Sequence, residues 1–216
     1  MLNHRQSREK VFSDISIYPV ITTEFCRNSN AVKTADAILK GGARCLQLRE
    51  KHLPDKEYFE LALEMRNLTD QYNALLIIDD RIDIALGVNA DGVHLGQDDF
   101  PVSVARILGP ELIIGTSTHN PEEIKLALAK DISYLNIGPI YSTQTKETGF
   151  NPLGTRYLES VIPDVPKIFT VMGGIKLEHF PELKKAGVKI AAMVTALTDN
   201  DNPEAAMRLY LNKWCN

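Results

Sequence analysis

"VNADGVHLGQDD", Val88 to Asp99, contains one complete strand unit of this chain. A helical pattern runs into its glycine turn, VNADGV, which marks the end of a helix and the approach to a strand. The apolar run Gly92–Gly96 that follows has the length of a buried strand, and it ends in a pair of acids. The stretch therefore predicts a helix, a turn, a buried strand and a polar strand end, in that order.

The same unit recurs along the whole chain. Similar glycine turns lie in KGGARC (Lys40–Cys45) and KAGVKI (Lys185–Ile190). The apolar runs are nearly continuous rather than alternating, as expected of parallel strands that are covered on both faces. Eight such runs are present: Ser16–Thr22, Cys45–Glu50, Ala74–Asp79, Gly92–Gly96, Leu112–Ser117, Tyr134–Gly138, Ile168–Met172 and Ile190–Thr195.

Helical patterns fill the gaps between these runs. Glu122–Lys130 has acids first and a lysine last, and Asn202-Pro203 is a helix start signal. Eight strand–helix units in about 200 residues predict an α/β fold, a (β/α)8 TIM barrel. An open doubly wound sheet would also give alternating units. We predict a single domain over residues 1–216, in which residues 1–14 are an extension with a short helix. In a barrel, the functional residues should collect at the C-terminal ends of the strands.

Composition excludes several classes of protein. The net charge of −4 gives no support for nucleic-acid binding, which usually needs a basic excess. The N-terminal segment has no apolar core of a secretory signal, and no run approaches the roughly 20 apolar residues of a membrane span. Three scattered cysteines form neither a disulfide framework nor a metal cluster. We therefore expect a cytoplasmic protein with no nucleic-acid or membrane partner; a homo-oligomer is compatible with the sequence.

The second strand ends in basic residues. In QLREK, the side chains of Gln47, Arg49 and Lys51 alternate, so an extended backbone points them the same way. An arginine and a lysine that converge at a strand end suit a dianionic ligand such as pyrophosphate. The alternative is a salt-bridged rim in which Glu50 is the partner of these cations.

The third and fourth strands end in acids. IIDDR and HLGQDD place Asp79, Asp80, Asp98 and Asp99 at neighbouring strand ends. Mg²⁺ is commonly held by one or two carboxylates together with water and phosphate oxygens, so these ends predict a metal–pyrophosphate site facing the basic strand end. For Asp80 and Asp99 taken singly, the alternative is a helix-capping role.

The fifth strand ends in GTSTHN. Ser117 could donate to a phosphate and His119 could move a proton, whereas Asn120-Pro121 is a helix start. His94 lies inside an apolar run, which predicts a core histidine with satisfied hydrogen bonds.

The sixth strand is followed by GPIYSTQTKETG, Gly138 to Gly149. Its five hydroxyl side chains lie beside the ammonium group of Lys146, which favours an anion cradle over a plain solvated loop. The Gly173-Gly174 pair after the seventh strand lets backbone N–H groups approach an anion, as is common in barrels. Thr195 adds a hydroxyl group at the end of the eighth strand.

The motifs QLREK, DDR, DGVHLGQDD, GTSTH, GPIYSTQTK, GGI and VTA occur in an order and spacing that resembles the thiamine-phosphate synthase (thiamine-phosphate pyrophosphorylase) family, from about Ile17 to Leu197. The resemblance implies a TIM-barrel transferase. Such an enzyme joins hydroxymethylpyrimidine diphosphate to a thiazole phosphate and releases pyrophosphate, with Mg²⁺ as cofactor.

The resemblance also assigns roles. Asp80 and Asp99 would be the Mg²⁺ ligands. The catalytic set would be Arg49, Lys51, Ser117 and Lys146, which together with Gln47 and Asp79 lie on the diphosphate side. Thr143, Thr145, Gly174, Val194 and Thr195 would hold the thiazole phosphate. Three positions depart from the family: Asp79 stands where Asn is usual, Ser142 where Pro is common and Thr195 where Ser is common. The extra carboxylate of Asp79 should weaken diphosphate binding unless it is protonated, turned away or bound to the metal.

Three alternatives to the synthase function stay open. A thiazole tautomerase of the same family would use His119 as a base and need no Mg²⁺. A non-catalytic paralogue would bind a phosphorylated ligand, and Asp79 favours this alternative. An unrelated sugar-phosphate lyase would need a Schiff-base lysine, and Lys51 or Lys146 would be the candidate.

Overall fold

The structure, a computed structural model, describes residues 4–27, 30–143, 151–165 and 167–216. Eight parallel strands close into a barrel in which each strand pairs with its neighbours in chain order. The barrel closes where β1 pairs with β8, with Tyr18 opposite Ala192. The strands are β1 Ile17–Ile21, β2 Cys45–Leu48, β3 Leu75–Asp79, β4 Gly92–Leu95, β5 Ile113–Thr118, β6 Tyr134–Ile137, β7 Ile168–Val171 and β8 Ala191–Met193.

Helices alternate with the strands on the outside of the barrel. The described helices are α1 His4–Ser13, α2 Ala31–Lys40, α3 Asp55–Gln71, α4 Ile82–Gly87, α5 Val102–Leu108, α6 Pro121–Leu128, α7 Gly154–Val161, α8 Phe180–Lys185, α9 Thr195–Thr198 and α10 Pro203–Cys215. Short 3₁₀ turns cover Thr23–Phe25, Ile162–Asp164 and Leu177–His179. Where the structure describes the chain, no helix is both long and apolar enough to cross a membrane.

The barrel confirms the predicted fold class, and the open-sheet alternative is wrong. Seven of the eight predicted runs contain one strand each, which is one to three residues shorter than the run; β5 has the predicted length but is shifted by one residue, to Ile113–Thr118. The eighth run shows the largest difference: Ile190–Val194 is apolar throughout, but the strand ends at Met193 and Thr195 already begins α9. Asn120 and Asn202 cap α6 and α10 as expected, because each side chain accepts a hydrogen bond from a backbone N–H three residues on.

Two apolar layers hold the fold together. The larger lies between the sheet and its helices, and the smaller fills the barrel interior around Tyr18, Ile77, Ile113 and Tyr134. The N-terminal helix α1 covers the bottom of the barrel, where the Phe12 ring lies 4.4 Å from the Tyr134 ring. With the bottom filled in this way, the open mouth lies at the C-terminal ends of the strands.

Candidate active site

One cavity of about 830 Å³ opens at the C-terminal ends of the strands. With the exception of Asp98, every predicted site residue that the structure describes contributes to its wall. Thr145 and Lys146, which were also predicted, lie outside the described residues. The predicted residues in the wall are Gln47, Arg49, Lys51, Asp79, Asp80, Asp99, Ser117, Thr143, Gly174, Val194 and Thr195.

The basic strand end is ion-paired with the acidic one. Arg49 Nε lies 3.4 Å from Asp79 Oδ2, and Lys51 Nζ lies 3.9 Å from the same oxygen while it also contacts Asp80. Glu50 is not the partner of these cations, because its carboxylate accepts from the backbone N–H and hydroxyl group of Thr23. The rim alternative was therefore wrong about Glu50. The cations are held beside the carboxylates of the neighbouring strand.

Asp80 and Asp99 are not helix caps. Helix α4 begins after Arg81 and α5 after Pro101, and neither helix has a side-chain cap. Asp80 instead takes a left-handed backbone conformation with φ of 61°, which is costly for a residue other than glycine and is often found at functional sites. Asp99 Oδ2 accepts from the backbone N–H of Gly96 at 2.7 Å. Both acids thus take conformations that keep them in the cavity wall.

The Asp80 and Asp99 carboxylates lie close together. Burial, then the hydrogen bond with Asp80, raises the pKa of Asp99. Two carboxylates this close together would be stabilised by a nearby cation. Within the described ranges no three His, Cys, Asp or Glu side chains converge on one metal position. Two carboxylates fit Mg²⁺, which takes its remaining ligands from water and phosphate. Asp98 is exposed and is not part of the cavity wall.

Asp79 is buried at the end of β3, with only 6% of its surface exposed. Burial, reinforced by the charge of Asp80, raises the pKa of Asp79 to about 7, against the opposing effect of Lys51 and Arg49. A large fraction of this carboxyl group is therefore protonated near neutral pH. Protonation, together with the two nearby cations, reduces the repulsion that Asp79 would exert on a bound diphosphate.

Ser117 and two histidines follow next around the barrel: His94 on β4, which pairs with Asp79, Ser117 on β5, and His119 directly after β5. His94 is buried as predicted, and its ring nitrogens lie 2.9 Å from Tyr134 OH and from Ser117 Oγ. His119 also contributes to the wall, and its Nδ1 lies 2.8 Å from Glu123 Oε2. Ser117 therefore presents its hydroxyl group to the cavity from a histidine-bound position.

A second, glycine-lined part of the wall lies after β6 and β7. Ile140 N–H donates to Met172 C=O, and Tyr141 N–H donates to Gly173 C=O, so the two loops are joined through their backbones. Gly174 has a φ of 59°, and a Cβ atom there would lie 2.2 Å from the carbonyl oxygen of Ser142. Only glycine fits this close approach, which leaves backbone N–H groups near the cavity where an anion could lie.

Several wall residues were missed by the sequence analysis. Asn136 is a buried polar residue inside an apolar strand, and its Oδ1 accepts from Thr170 at 2.8 Å. Thr22 directly follows β1, and Lys176 follows the glycine pair. A polar residue at an inward position of the YLNI strand was the available signal for Asn136, whereas Lys176 resembles any exposed lysine in a loop.

Comparisons with known proteins agree with this geometry. The family model described as "Thiamine monophosphate synthase" matches residues 17–197. A thiamine-phosphate synthase from Synechocystis is 42% identical over 185 residues, which are 85% of this chain and 54% of that protein; the chain thus spans about half the length of this relative. One from Caldicellulosiruptor saccharolyticus is 34% identical over 92% of this chain and 90% of its own.

The solved structure of thiamine phosphate pyrophosphorylase from Pyrococcus furiosus superposes with a TM-score of 0.85 at 32% identity, and the match covers 96% of each chain. The sequence match and the structural match thus extend over nearly the whole barrel, including all eight strand ends. The chain belongs to the thiamine monophosphate synthase family.

Proposed function

We propose that this chain couples hydroxymethylpyrimidine diphosphate to a thiazole phosphate and releases pyrophosphate, giving thiamine phosphate. The observation that carries the proposal is that one cavity brings together two surfaces suited to binding anions. Arg49 and Lys51 face a pair of metal-suited carboxylates, and the glycine-lined wall at Gly174 lies beyond them. A reaction between a diphosphate and a phosphate-bearing partner needs both surfaces.

The residues divide between the two substrates. On the diphosphate side, Arg49 and Lys51 would bind phosphate oxygens, Ser117 would donate a hydrogen bond, and Gln47 would sit deeper in the barrel. The backbone at Gly174, with Thr143, Val194 and Thr195, would bind the thiazole phosphate. The family resemblance adds Lys146 to the first group and Thr145 to the second.

Mg²⁺ belongs to the proposal, with Asp80 and Asp99 as its protein ligands. When bound, it would supply positive charge to the pyrophosphate oxygens. The two carboxylates fit this role because they already lie close together, with Lys51 as the cation beside Asp80.

The reaction would be a dissociative substitution at the pyrimidine methylene group. As the C–O bond breaks, its electron pair leaves with pyrophosphate, and the electron-rich aminopyrimidine stabilises the resulting cation. Arg49 and Lys51 would stabilise the charge that develops on the leaving group, which is preorganised electrostatic catalysis. The thiazole nitrogen, held by its phosphate group, would then form the C–N bond. No protein base is needed for bond formation, which is consistent with the absence of an obvious nucleophile among the described wall residues.

Removal of Mg²⁺ tests the proposal against the tautomerase alternative. We expect a chelator to reduce thiamine phosphate formation by at least 100-fold, because the leaving group loses charge stabilisation. Added Mg²⁺ should restore the rate. The measurement is chromatography of the products of purified protein with both substrates. A rate that is unchanged by the chelator would refute the Mg²⁺-dependent synthase.

A cytoplasmic location is part of the proposal. Cys26, Cys45 and Cys215 are all free, and the first two are buried. Free cysteines are typical of a reducing compartment. The oligomeric state stays a prediction.

A further inference from the structure

A chain of hydrogen bonds crosses the barrel interior beneath the candidate active site. Gln47 Nε2 donates to Tyr18 OH at 3.0 Å, and Tyr18 OH lies 3.1 Å from Tyr134 OH. Tyr134 OH lies 2.9 Å from His94 Nδ1, and His94 Nε2 lies 2.9 Å from Ser117 Oγ. Five side chains from five strands thus form one continuous path that ends in the cavity wall.

The residues around Tyr18 and Tyr134 hold the two rings in position for these hydrogen bonds. Gly115 lies opposite Tyr134 in the β5–β6 register, and a Cβ atom there would lie 2.1 Å from Tyr134 Cζ. The missing side chain at Gly115 therefore makes room for the phenol ring. From below, Phe12 packs against the rings of both tyrosines, with centroid distances of 5.2 Å to Tyr18 and 4.4 Å to Tyr134.

The donor at one end fixes the direction of the path. An amide nitrogen can only donate, so Tyr18 OH accepts from Gln47; among the described contacts, Tyr134 OH is then the acceptor for the proton of Tyr18. The proton of Tyr134 is then left for His94 Nδ1, the remaining acceptor within reach among the described contacts. Burial raises the pKa of Tyr18 and of Tyr134 well above the usual range, so both phenols keep the proton that they must donate.

The same reasoning then determines which ring nitrogen of His94 carries the proton and where Ser117 can donate its own. If Nδ1 accepts, a neutral His94 ring carries its proton on Nε2 and donates it to Ser117 Oγ. Among the described residues, His94 is the side-chain partner that the structure gives to Ser117 Oγ. Because His94 Nε2 carries a proton and cannot accept one, the proton of Ser117 is available for the cavity.

We infer that Gln47, Tyr18, Tyr134 and His94 form a directed relay that turns the Ser117 hydroxyl group into a dedicated hydrogen-bond donor for an anionic oxygen in the cavity. Tyr134 is a positioning residue, because it lies outside the cavity wall and acts through His94 and Ser117; His94, which also lines the cavity, positions Ser117 through its Nε2. The inference rests on the proposed function for the identity of the anion, which would be a phosphate group of the diphosphate.

The first test needs no substrate. Nitrogen-15 NMR of the imidazole side chains separates a protonated ring nitrogen from a bare one, and the His94 signals are those lost in His94→Gln. At pH 7 we expect a neutral His94 ring with the proton on Nε2, and partial loss of this preference in Tyr134→Phe. A proton on Nδ1, or a ring protonated at both nitrogens, would overturn the relay.

The second test measures inorganic pyrophosphate binding by calorimetry in the presence of Mg²⁺. We expect Ser117→Ala to weaken binding about tenfold, the effect of losing one hydrogen bond to a charged group, and Tyr134→Phe to weaken it several-fold. The double variant should bind no more weakly than Ser117→Ala alone, because both changes remove the same donor. Tyr157→Phe is the matched control on α7, outside the relay, and should bind normally.

The outcomes separate the relay from the proposed function. Additive losses in the double variant, or normal binding by Tyr134→Phe, would overturn the relay even if thiamine phosphate is formed. If instead the relay results hold and no thiamine phosphate is formed, the proposed reaction fails and the relay stands as part of an anion-binding site.

Discussion

Replacement of Lys51 by alanine should reduce kcat/KM for thiamine phosphate formation by roughly 100- to 1000-fold, the range seen when one preorganised charge-stabilising group is removed. Lys51 Nζ contacts Asp80 and lies 3.9 Å from Asp79 Oδ2, so it holds positive charge where the leaving pyrophosphate would lie. Its loss also leaves the acidic strand ends without one of their cations. Steady-state kinetics with the diphosphate as the varied substrate measures the effect.

Lys10→Ala is the matched control for this substitution. Lys10 lies on α1 at the closed end of the barrel, where it forms an exposed ion pair with Asp14. Exposed pairs of this kind contribute little, so kcat/KM should change less than about twofold. Equal losses in the two variants would show that Lys51 has no special place in the reaction.

Replacement of Asp79 by asparagine should stabilise the metal-free protein at high pH. Because the pKa of Asp79 is raised to about 7, the folded state keeps a proton that the unfolded chain loses from about pH 4 upward. The carboxyl group therefore lowers stability progressively as pH rises from about 4 to 7, and the loss is complete above that range. Asparagine does not titrate, so it should raise the free energy of unfolding above this range by on the order of 2–4 kcal/mol.

Thermal unfolding in the presence of a chelator measures this effect. At pH 8 the Tm of Asp79→Asn should exceed that of the unmodified protein by roughly 5–15 °C, and the difference should shrink to roughly a third of that value at pH 5. Asp164→Asn, at an exposed position outside the site, should give a small difference that does not vary with pH. A variant that is less stable than the unmodified protein at pH 8 would mean that the ion pairs of Asp79 with Arg49 and Lys51 outweigh its burial.

The fold could be predicted because it depends on a repeated signal. Each buried parallel strand must be apolar on both faces, so all eight appear in the sequence as short apolar runs. The strand ends were less certain because an apolar residue can belong to a strand or to the approach to the next helix equally well, as Val194 after β8 shows. Closure of the barrel does not leave a local signal, since the pairing of β1 with β8 joins residues from opposite ends of the chain.

The residues of the candidate site could be predicted from the sequence, but the contacts between them could not. Polar residues at the ends of apolar runs identified Arg49, Lys51, Asp80 and Asp99, because C-terminal strand ends meet at one mouth of a barrel. Their pairing required distances: Glu50 is adjacent to Arg49 in sequence, yet the ion pairs cross to β3. The left-handed conformation of Asp80 likewise has no signature in its residue type.

The hydrogen-bond path below the site was the least predictable part. Tyr18 and Tyr134 look like core aromatic residues, and only the space left by Gly115 brings their hydroxyl groups toward His94. His94 was correctly predicted to be a satisfied core residue. Its contact with Ser117 spans two strands and depends on the register between them.

Calorimetric titration of the purified chain with inorganic pyrophosphate tests the central claim most directly, namely that the basic and acidic strand ends bind pyrophosphate together with Mg²⁺. The account predicts binding that requires Mg²⁺ and is weakened at least tenfold by Arg49→Ala, since an arginine–phosphate contact is lost. Arg44→Ala, an exposed arginine just before the other end of β2, should bind as the unmodified protein does. Binding that is independent of Mg²⁺ and unchanged in Arg49→Ala would contradict the account.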